Sequence, residues 1–244
     1  AEPNELILVA GKGHENQQIY KNKIIKISDK KIIENLKVNK KKISNQDLNF
    51  KQNKEIMKKI NRIVVKEFHG LSIDTRTLKK NNIFLTIKGR HHDGVKFISQ
   101  ALKKGAKYIV SSKKIKKHKD KVIKVDNEIS FLNNFASQKR AKSKAKIIAI
   151  TGSAGKTSLK NLIKDQLDSF GKTSCSPKSF NNYLGVPLSL SELNASHQFG
   201  IFEVGMSKAG EIHSLSNLIK PHIGIITNIG EAHIENFKNL NGIA

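Results

Sequence analysis

The sequence predicts an α/β protein: a mostly parallel sheet in its second half, with a smaller α/β domain before it. Three observations carry this expectation. From Lys146 onward, short apolar runs rich in β-branched residues alternate with stretches of helical spacing, the pattern of βαβ units. The run Lys146–Thr151 enters a Gly-rich turn, Gly152-Ser153-Ala154-Gly155, and a helical pattern follows at Leu159, Leu162, Ile163 and Leu167. Upstream, residues 61–126 repeat the alternation with shorter elements.

Taken in order, residues 1–39 hold an apolar strand (Leu6–Val9), a Gly turn, short strands and a helical pattern at Ile32, Ile33 and Leu36. Residues 40–60 are polar and rich in Lys, Asn and Gln, and read as a linker with room for one helix. Within 61–126, strands are expected at 63–65, 83–87, 108–110 and 122–125. A helix from about Gly94 to Lys104 lies among them, because Val95, Phe97, Ile98, Ala101 and Leu102 fall at helical spacing. Residues 128–142 read as a connecting helix. A helix over 156–170 stops at Gly171, a natural C′ residue. There is no internal repeat.

Composition sets wider bounds. A length of 244 residues suggests one or two domains, and a hydrophobic content of 37% is sufficient for a core. Cys175 is the single cysteine, so no intrachain disulfide is possible, and a reducing cytoplasm fits. No apolar run approaches the roughly 20 residues needed to span a bilayer. The net charge of +25 raises a nucleic-acid reading. The lysines are spread along the chain, however, and the densest run, Lys113–Lys119, lacks interleaved aromatic residues for base stacking. That run reads as solvated surface, and the positive field favours small anionic substrates.

Strand, Gly-rich turn and helix together form a phosphate loop. The N–H groups of such a loop, with the helix N-terminus, cradle anionic phosphate. Lys156 is placed to reach the β- and γ-phosphates of a nucleoside triphosphate, and the Thr157 hydroxyl to hold Mg²⁺. The spacing departs from G-x-x-x-x-G-K-[ST], because Ile150 stands five residues before Gly155. The loop is the tighter Thr151-Gly152-Ser153-Ala154-Gly155-Lys156-Thr157-Ser158.

This tight loop resembles that of the Mur ligases, which build the peptide stem of peptidoglycan. Ser179–Pro187 resembles the family's N-N-x-x-G-x-P segment, and Phe202–Met206 followed by Gly210-Glu211-Ile212 its E-x-G…G-E-I segment. Pro221–His233 resembles the next strand, which ends in N-x-x-x-x-H. Upstream, Ser72–Arg76 and Ile83–Gly89 resemble its nucleotide-sugar domain. The wording is closest to the MurF branch, which adds D-Ala-D-Ala to a UDP-N-acetylmuramoyl tripeptide. These segments cover most of residues 59–244.

The resemblance implies an ATP-dependent amide ligase of cell-wall precursor synthesis, acting through an acyl phosphate, with ATP and Mg²⁺ as cofactors. It implies Lys156, Glu203 and His233 as catalytic residues, the last two with Thr157 as metal ligands. Thr151 to Ser158 and Asn228 are implied as the ATP contacts, and Ser72, Asp74, Arg76, Asn181 and Asn182 as contacts of the UDP-sugar peptide. With the composition, no membrane and no specific nucleic acid are expected as partners.

The first residues resemble another branch. Leu6–Glu15 is similar to the V-A-G-K-G-H-E segment near the C-terminus of MurE, which adds the third stem residue. Gly11 and Glu15 match the positions that contact its incoming amino acid, although the D-N-P-R segment of that branch is absent. The expected order is therefore the end of a MurE-like C-terminal domain (1–39), a linker (40–60), a MurF-like UDP-sugar domain (61–126) and an incomplete ATP-binding domain (127–244). That order is expected of an internal piece of a MurE–MurF fusion. By family spacing, a carbamylated lysine and the domain for the incoming dipeptide lie beyond Ala244, so this piece is expected to be inactive alone. Two other readings stay open: a folylpolyglutamate synthase, which shares the ATP loop, and a basic phosphate-loop NTPase that binds nucleic acid.

Overall fold

The computed structural model describes residues 6–9, 18–20, 23–25, 70–89, 92–237 and 239–243. Three short strands come first. These are β1 (Leu6–Val9), then β2 (Gln18–Tyr20) and β3 (Lys23–Ile25), the last two paired antiparallel. There follow β4 (Leu71–Ser72), β5 (Ile83–Leu85), a 3-10 turn at Gly94–Phe97, α1 (Ile98–Lys103) and β6 (Tyr108–Ser111). A 3-10 turn at Lys119–Lys121 leads to β7 (Val122–Lys124) and α2 (Glu128–Lys142). The remainder is β8 (Lys146–Thr151), α3 (Lys156–Leu167), β9 (Thr173–Cys175), α4 (Gly185–Ser191), β10 (Phe199–Glu203), α5 (Glu211–Ile219), β11 (Ile223–Ile226), a 3-10 turn at Ile234–Asn236 and α6 (Leu240–Ile243).

The chain divides into two compact units. The smaller carries a parallel sheet in the order β4-β5-β6-β7. Its core gathers Leu78, Phe84, Ile98, Ala101, Ala106 and Ile109. Gly94 lets the turn before α1 lie against the sheet, because a Cβ there would stand 2.7 Å from the Thr86 backbone. The sequence reading drew the domain division at Asp126, whereas the structure draws it at Ala141, with α2 in the smaller unit. The reason is local: Glu128 Oε1 accepts from the Ser112 N–H (2.6 Å) and the Thr86 hydroxyl (3.2 Å), and Phe131, Leu132, Phe135 and Ala136 are buried.

The larger unit holds a five-stranded sheet in the order β1-β11-β8-β10-β9, with every neighbouring pair parallel. Apart from the edge strand β9, its strands are largely apolar runs, as expected when both faces are covered. One face gathers Ile148, Ile150, Ile201 and Ile225 beneath Leu159, Ile163 and Leu167 of α3. On α5, Leu215 and Ile219 are buried. The strand that the sequence reading assigned to a separate leading piece, β1, lies beside β11, with Leu8 opposite Ile225.

The expected helix from Gly94 to Lys104 is split into a 3-10 turn and α1, and the expected 156–170 helix closes at Leu167. Beyond α3 the Gly171 N–H still bonds the Leu167 carbonyl at 3.0 Å. The strand expected at 63–65 and the linker at 40–60 lie outside the described residues. Among the described residues, no helix is long and apolar enough to cross a membrane.

Phe84 is fully buried at the centre of the smaller sheet. Its replacement by Ala is expected to cost about 3–5 kcal/mol. Urea unfolding of the variant checks this, and a loss below about 1 kcal/mol would contradict the core assigned here.

Candidate functional site

Register brings the site together. In the larger sheet Thr151 pairs with Ile226 and Ile150 with Glu203, so the ends of β8, β10 and β11 lie side by side. All three strands run the same way, and the loops leaving them meet at the carboxyl edge, where open α/β sheets bind ligands.

The loop from β8 to α3 is laced to the segment after β11. The Ser153 N–H donates to the Asn228 carbonyl (3.0 Å), and the Ala154 N–H to Asn228 Oδ1 (2.9 Å). The Thr227 hydroxyl donates to the Ala154 carbonyl (2.5 Å), and the Gly230 N–H to Ser153 Oγ (2.8 Å). Gly152 has φ 129°, and a Cβ there would stand 2.2 Å from Thr227 Oγ1. Gly155 caps α3 at φ 78°, with open space where a Cβ would be. The Lys156 ammonium turns back over the loop to the Gly152 carbonyl at 2.5 Å. The first N–H groups of α3 have no intrahelical acceptor, which leaves them for an anion.

Beneath the loop sits a carboxylate. Glu203 ends β10 with its side chain 2% exposed. Its Oε2 accepts from the Thr157 hydroxyl at 2.8 Å, and its Oε1 from Asn181 Nδ2 at 2.9 Å. Lys160, on α3, brings its ammonium to 3.6 Å from Oε2. Asn181 is held in turn by the Gly205 N–H, which donates to its carbonyl at 2.7 Å. A Cβ on Gly205 would come within 2.9 Å of the Asn181 side chain.

A cleft of about 420 Å³ opens over these groups, lined by Gly152, Ser153, Lys156, Asn181, Asn182, Tyr183, Asn228 and His233 among others. His233 stands at φ 59° at the start of the Ile234–Asn236 turn. Its side chain is 52% exposed, with Nδ1 3.6 Å from Glu235 Oε1. Among the described residues, no three His, Cys, Asp or Glu side chains cluster as a metal-binding group. The oxygen pair Thr157–Glu203 nonetheless suits Mg²⁺, a hard cation held by one or two carboxylates together with phosphate and water.

Thus Gly152, Ser153, Lys156, Asn181, Asn182, Asn228 and His233 line one cleft, as does Thr151, while Thr157 and Glu203 meet below it. Ala154, Gly155 and Ser158 complete the loop and the first turn of α3. Asn182 Oδ1 accepts from the Leu184 and Gly185 N–H groups, shaping the turn into α4. Ser72, Asp74 and Arg76 lie in the smaller unit and form a closed local set. There Arg76 Nη2 stands 2.7 Å from Asp74 Oδ2, which holds that carboxyl below its usual range, and the Ser72 hydroxyl donates to the Asp74 carbonyl. Gly11 and Glu15 lie outside the described residues. Sequence reasoning missed Lys160, three residues after Thr157 on the same helix face, and Ser176, whose Oγ accepts the Glu203 N–H at 3.2 Å. The signal for Lys160 was that spacing, and Ser176 left none.

Two family models match the chain: "Mur ligase family, catalytic domain" over residues 67–140 and "Mur ligase middle domain" over 150–244. A Rickettsia prowazekii protein named UDP-N-acetylmuramoyl-tripeptide--D-alanyl-D-alanine ligase is 41% identical over 175 residues, covering 71% of this chain and 39% of its own length. The Bacillus subtilis protein of the same name is 33% identical over 178 residues, covering 72% of this chain and 39% of its own. Among solved structures, MurF from Acinetobacter baumannii aligns with a TM-score of 0.64 at 31% identity, over 71% of this chain and 38% of that one. MurF ligase from Thermotoga maritima, in complex with ADP, aligns with a TM-score of 0.62 at 26% identity, over 72% of this chain and 41% of that one. The chain spans about two fifths of the length of these relatives.

The two loop glycines are expected to separate by substitution. Gly155→Ala meets only the left-handed backbone penalty of about 1–2 kcal/mol. Gly152→Ala adds to its strained φ a clash with Thr227, an overpacking penalty of about 1–3 kcal/mol. Thermal melts of both variants check the order, and equal losses would contradict the close approach to Thr227. Burial pushes the Cys175 thiol up. A raised value means less thiolate in the folded chain than in the unfolded one at the same pH. Alkylation by iodoacetamide at pH 8 is therefore expected to be several-fold slower in buffer than in 8 M urea, a gap that narrows as pH rises.

Proposed function

The chain belongs to the Mur ligase family, and we propose that it is the ATP-binding and acceptor-binding part of a ligase joining D-Ala-D-Ala to a UDP-N-acetylmuramoyl tripeptide in the cytoplasm. The observation that carries this reading is the Thr157–Glu203–Asn181 arrangement directly under a phosphate loop. It sets a cation-seeking oxygen pair beside an anion-seeking cradle, and an asparagine from the loop before α4 touches the same carboxylate.

A carboxylate does not condense with an amine at neutral pH until it has been activated, and ATP, with Mg²⁺, supplies that activation as an acyl phosphate. The protein contributes position and charge rather than covalent chemistry. The α3 N-terminus and loop N–H groups hold the phosphates. Lys156 leaves the Gly152 carbonyl to meet them, a short swing for a flexible ammonium. Thr157 and Glu203 present oxygens to the metal, and His233 lines the cleft. Asn181 and Asn182, which line the cleft, contact the acceptor peptide. Ser72, Asp74 and Arg76, in the smaller unit, contact its uridine diphosphate, with Arg76, 86% exposed, able to exchange Asp74 for phosphate. The leading segment with Gly11 and Glu15 comes from a MurE-like ligase.

Nucleotide binding tests the first half of this reading. Fluorescence titration with a methylanthraniloyl-labelled ADP in Mg²⁺ is expected to show saturable binding. The Lys156→Met variant is expected to lose at least about tenfold in affinity while keeping its circular dichroism spectrum. Calorimetry with the UDP-muramoyl tripeptide tests the second half. Binding of a folate in its place, or nucleic-acid binding that weakens steeply with salt, would redirect the assignment.

A further inference from the structure

Lys160 has no part in the chemistry described above, yet it is among the most deeply buried residues of the chain, with a side chain 1% exposed. An ammonium has three protons to place. Here its neighbours are the Ser176 carbonyl (3.0 Å), the Lys178 carbonyl and the Glu203 carboxylate (3.6 Å). Stability alone does not account for such a group, because a buried ion pair is commonly matched or bettered by apolar side chains of similar volume. Its neighbours point to the site instead. The carboxylate it faces also receives Thr157 and Asn181, and the two carbonyls it ties lie on the stretch from β9 to Asn181.

We propose that Lys160 is a positioning residue for the metal-bound nucleotide: its buried ammonium holds the Glu203 carboxylate aimed at Thr157, and its bonds to Ser176 and Lys178 fix the loop that carries Asn181. This rests on the reading of the cleft as a Mg²⁺·nucleotide site. Without the ammonium, Glu203 is a buried carboxylate held only by neutral donors, and it loses the orientation that makes it a metal ligand. The loop N–H groups and Lys156 are untouched, so the phosphates are still held.

The test is a double-mutant cycle on the 244-residue chain. Affinity for labelled ADP is measured in EDTA and in Mg²⁺, with Lys160→Met, Glu203→Gln and both together, and Mn²⁺·ADP paramagnetic resonance reports the metal directly. In Lys160→Met the gain that Mg²⁺ gives is expected to fall about 10- to 100-fold, the usual range for a group behind a metal ligand, with little change in EDTA. The double variant is expected to lose no more of that gain than Glu203→Gln alone, because the two residues act as one unit. A Lys160→Met chain that keeps the wild-type gain, or a double variant whose losses add, overturns the inference. Should Lys160→Met fail to fold, the comparison of Glu203→Gln with the double variant decides alone, a further loss in the double variant counting against it. A wild-type chain that binds no nucleotide overturns the cleft reading itself, and this inference with it. A chain that binds nucleotide with an intact Mg²⁺ gain in Lys160→Met overturns only this one.

Discussion

A carboxylate sealed from water at the end of a central strand obliges its surroundings to answer it. Glu203 is that group, and its two oxygens are met by a hydroxyl, an amide and an ammonium drawn from two separate parts of the chain. The residues that meet it fix the angle of α3 against the sheet and the path of the chain from β9 to α4. Only a parallel arrangement of β8 and β10 delivers the phosphate loop and this carboxylate to the same edge. The apolar runs of the strands, Ile147 to Ile150 and Gly200 to Phe202, are what make that arrangement stable. Core packing and site chemistry are therefore a single problem in this unit, solved by the register of one strand pair.

Where local spacing carried the information, the sequence could be read. Gly152, Gly155, Lys156 and Thr157 are diagnostic because a phosphate cradle needs those residue types in one turn, and the strand and helix on either side follow from hydrophobic period. Glu203 and Asn181 were legible only through resemblance, since nothing near them in the chain says that they touch. Their contact spans the crossover from β9 through α4 to β10. Lys160 was overlooked for another reason. A lysine inside an amphipathic helix reads as a solvated side chain, and its burial depends on carbonyls sixteen and eighteen residues away. Asp74 and Arg76 show the reverse: expected to face a ligand, they stand two residues apart and bond each other.

The boundary between the units failed in the sequence reading because helix α2 looks like a connector. Its buried side of Phe131, Leu132, Phe135 and Ala136 is interrupted by Asn133, which blurs the helical period. What ties it to the smaller sheet is Glu128 capping the exits of β5 and β6, a contact that no periodicity reports. The pairing of β1 with β11 was not legible for a related reason. An apolar tetrapeptide is equally at home in any parallel sheet, and only three-dimensional pairing with β11 selects one.

The lacing of the phosphate loop to Thr227, Asn228 and Gly230 has a thermodynamic reading of its own. Segments that must order themselves around a ligand surrender conformational freedom at the moment of binding, at a cost of about 1–2 kcal/mol per residue fixed. Here that freedom has already been given up during folding, to the strand next door. A nucleotide bound here would meet a mould rather than a mitten: little of its binding energy would go into shaping the receptor, and discrimination between phosphate chains of different length would fall to the geometry of the mould.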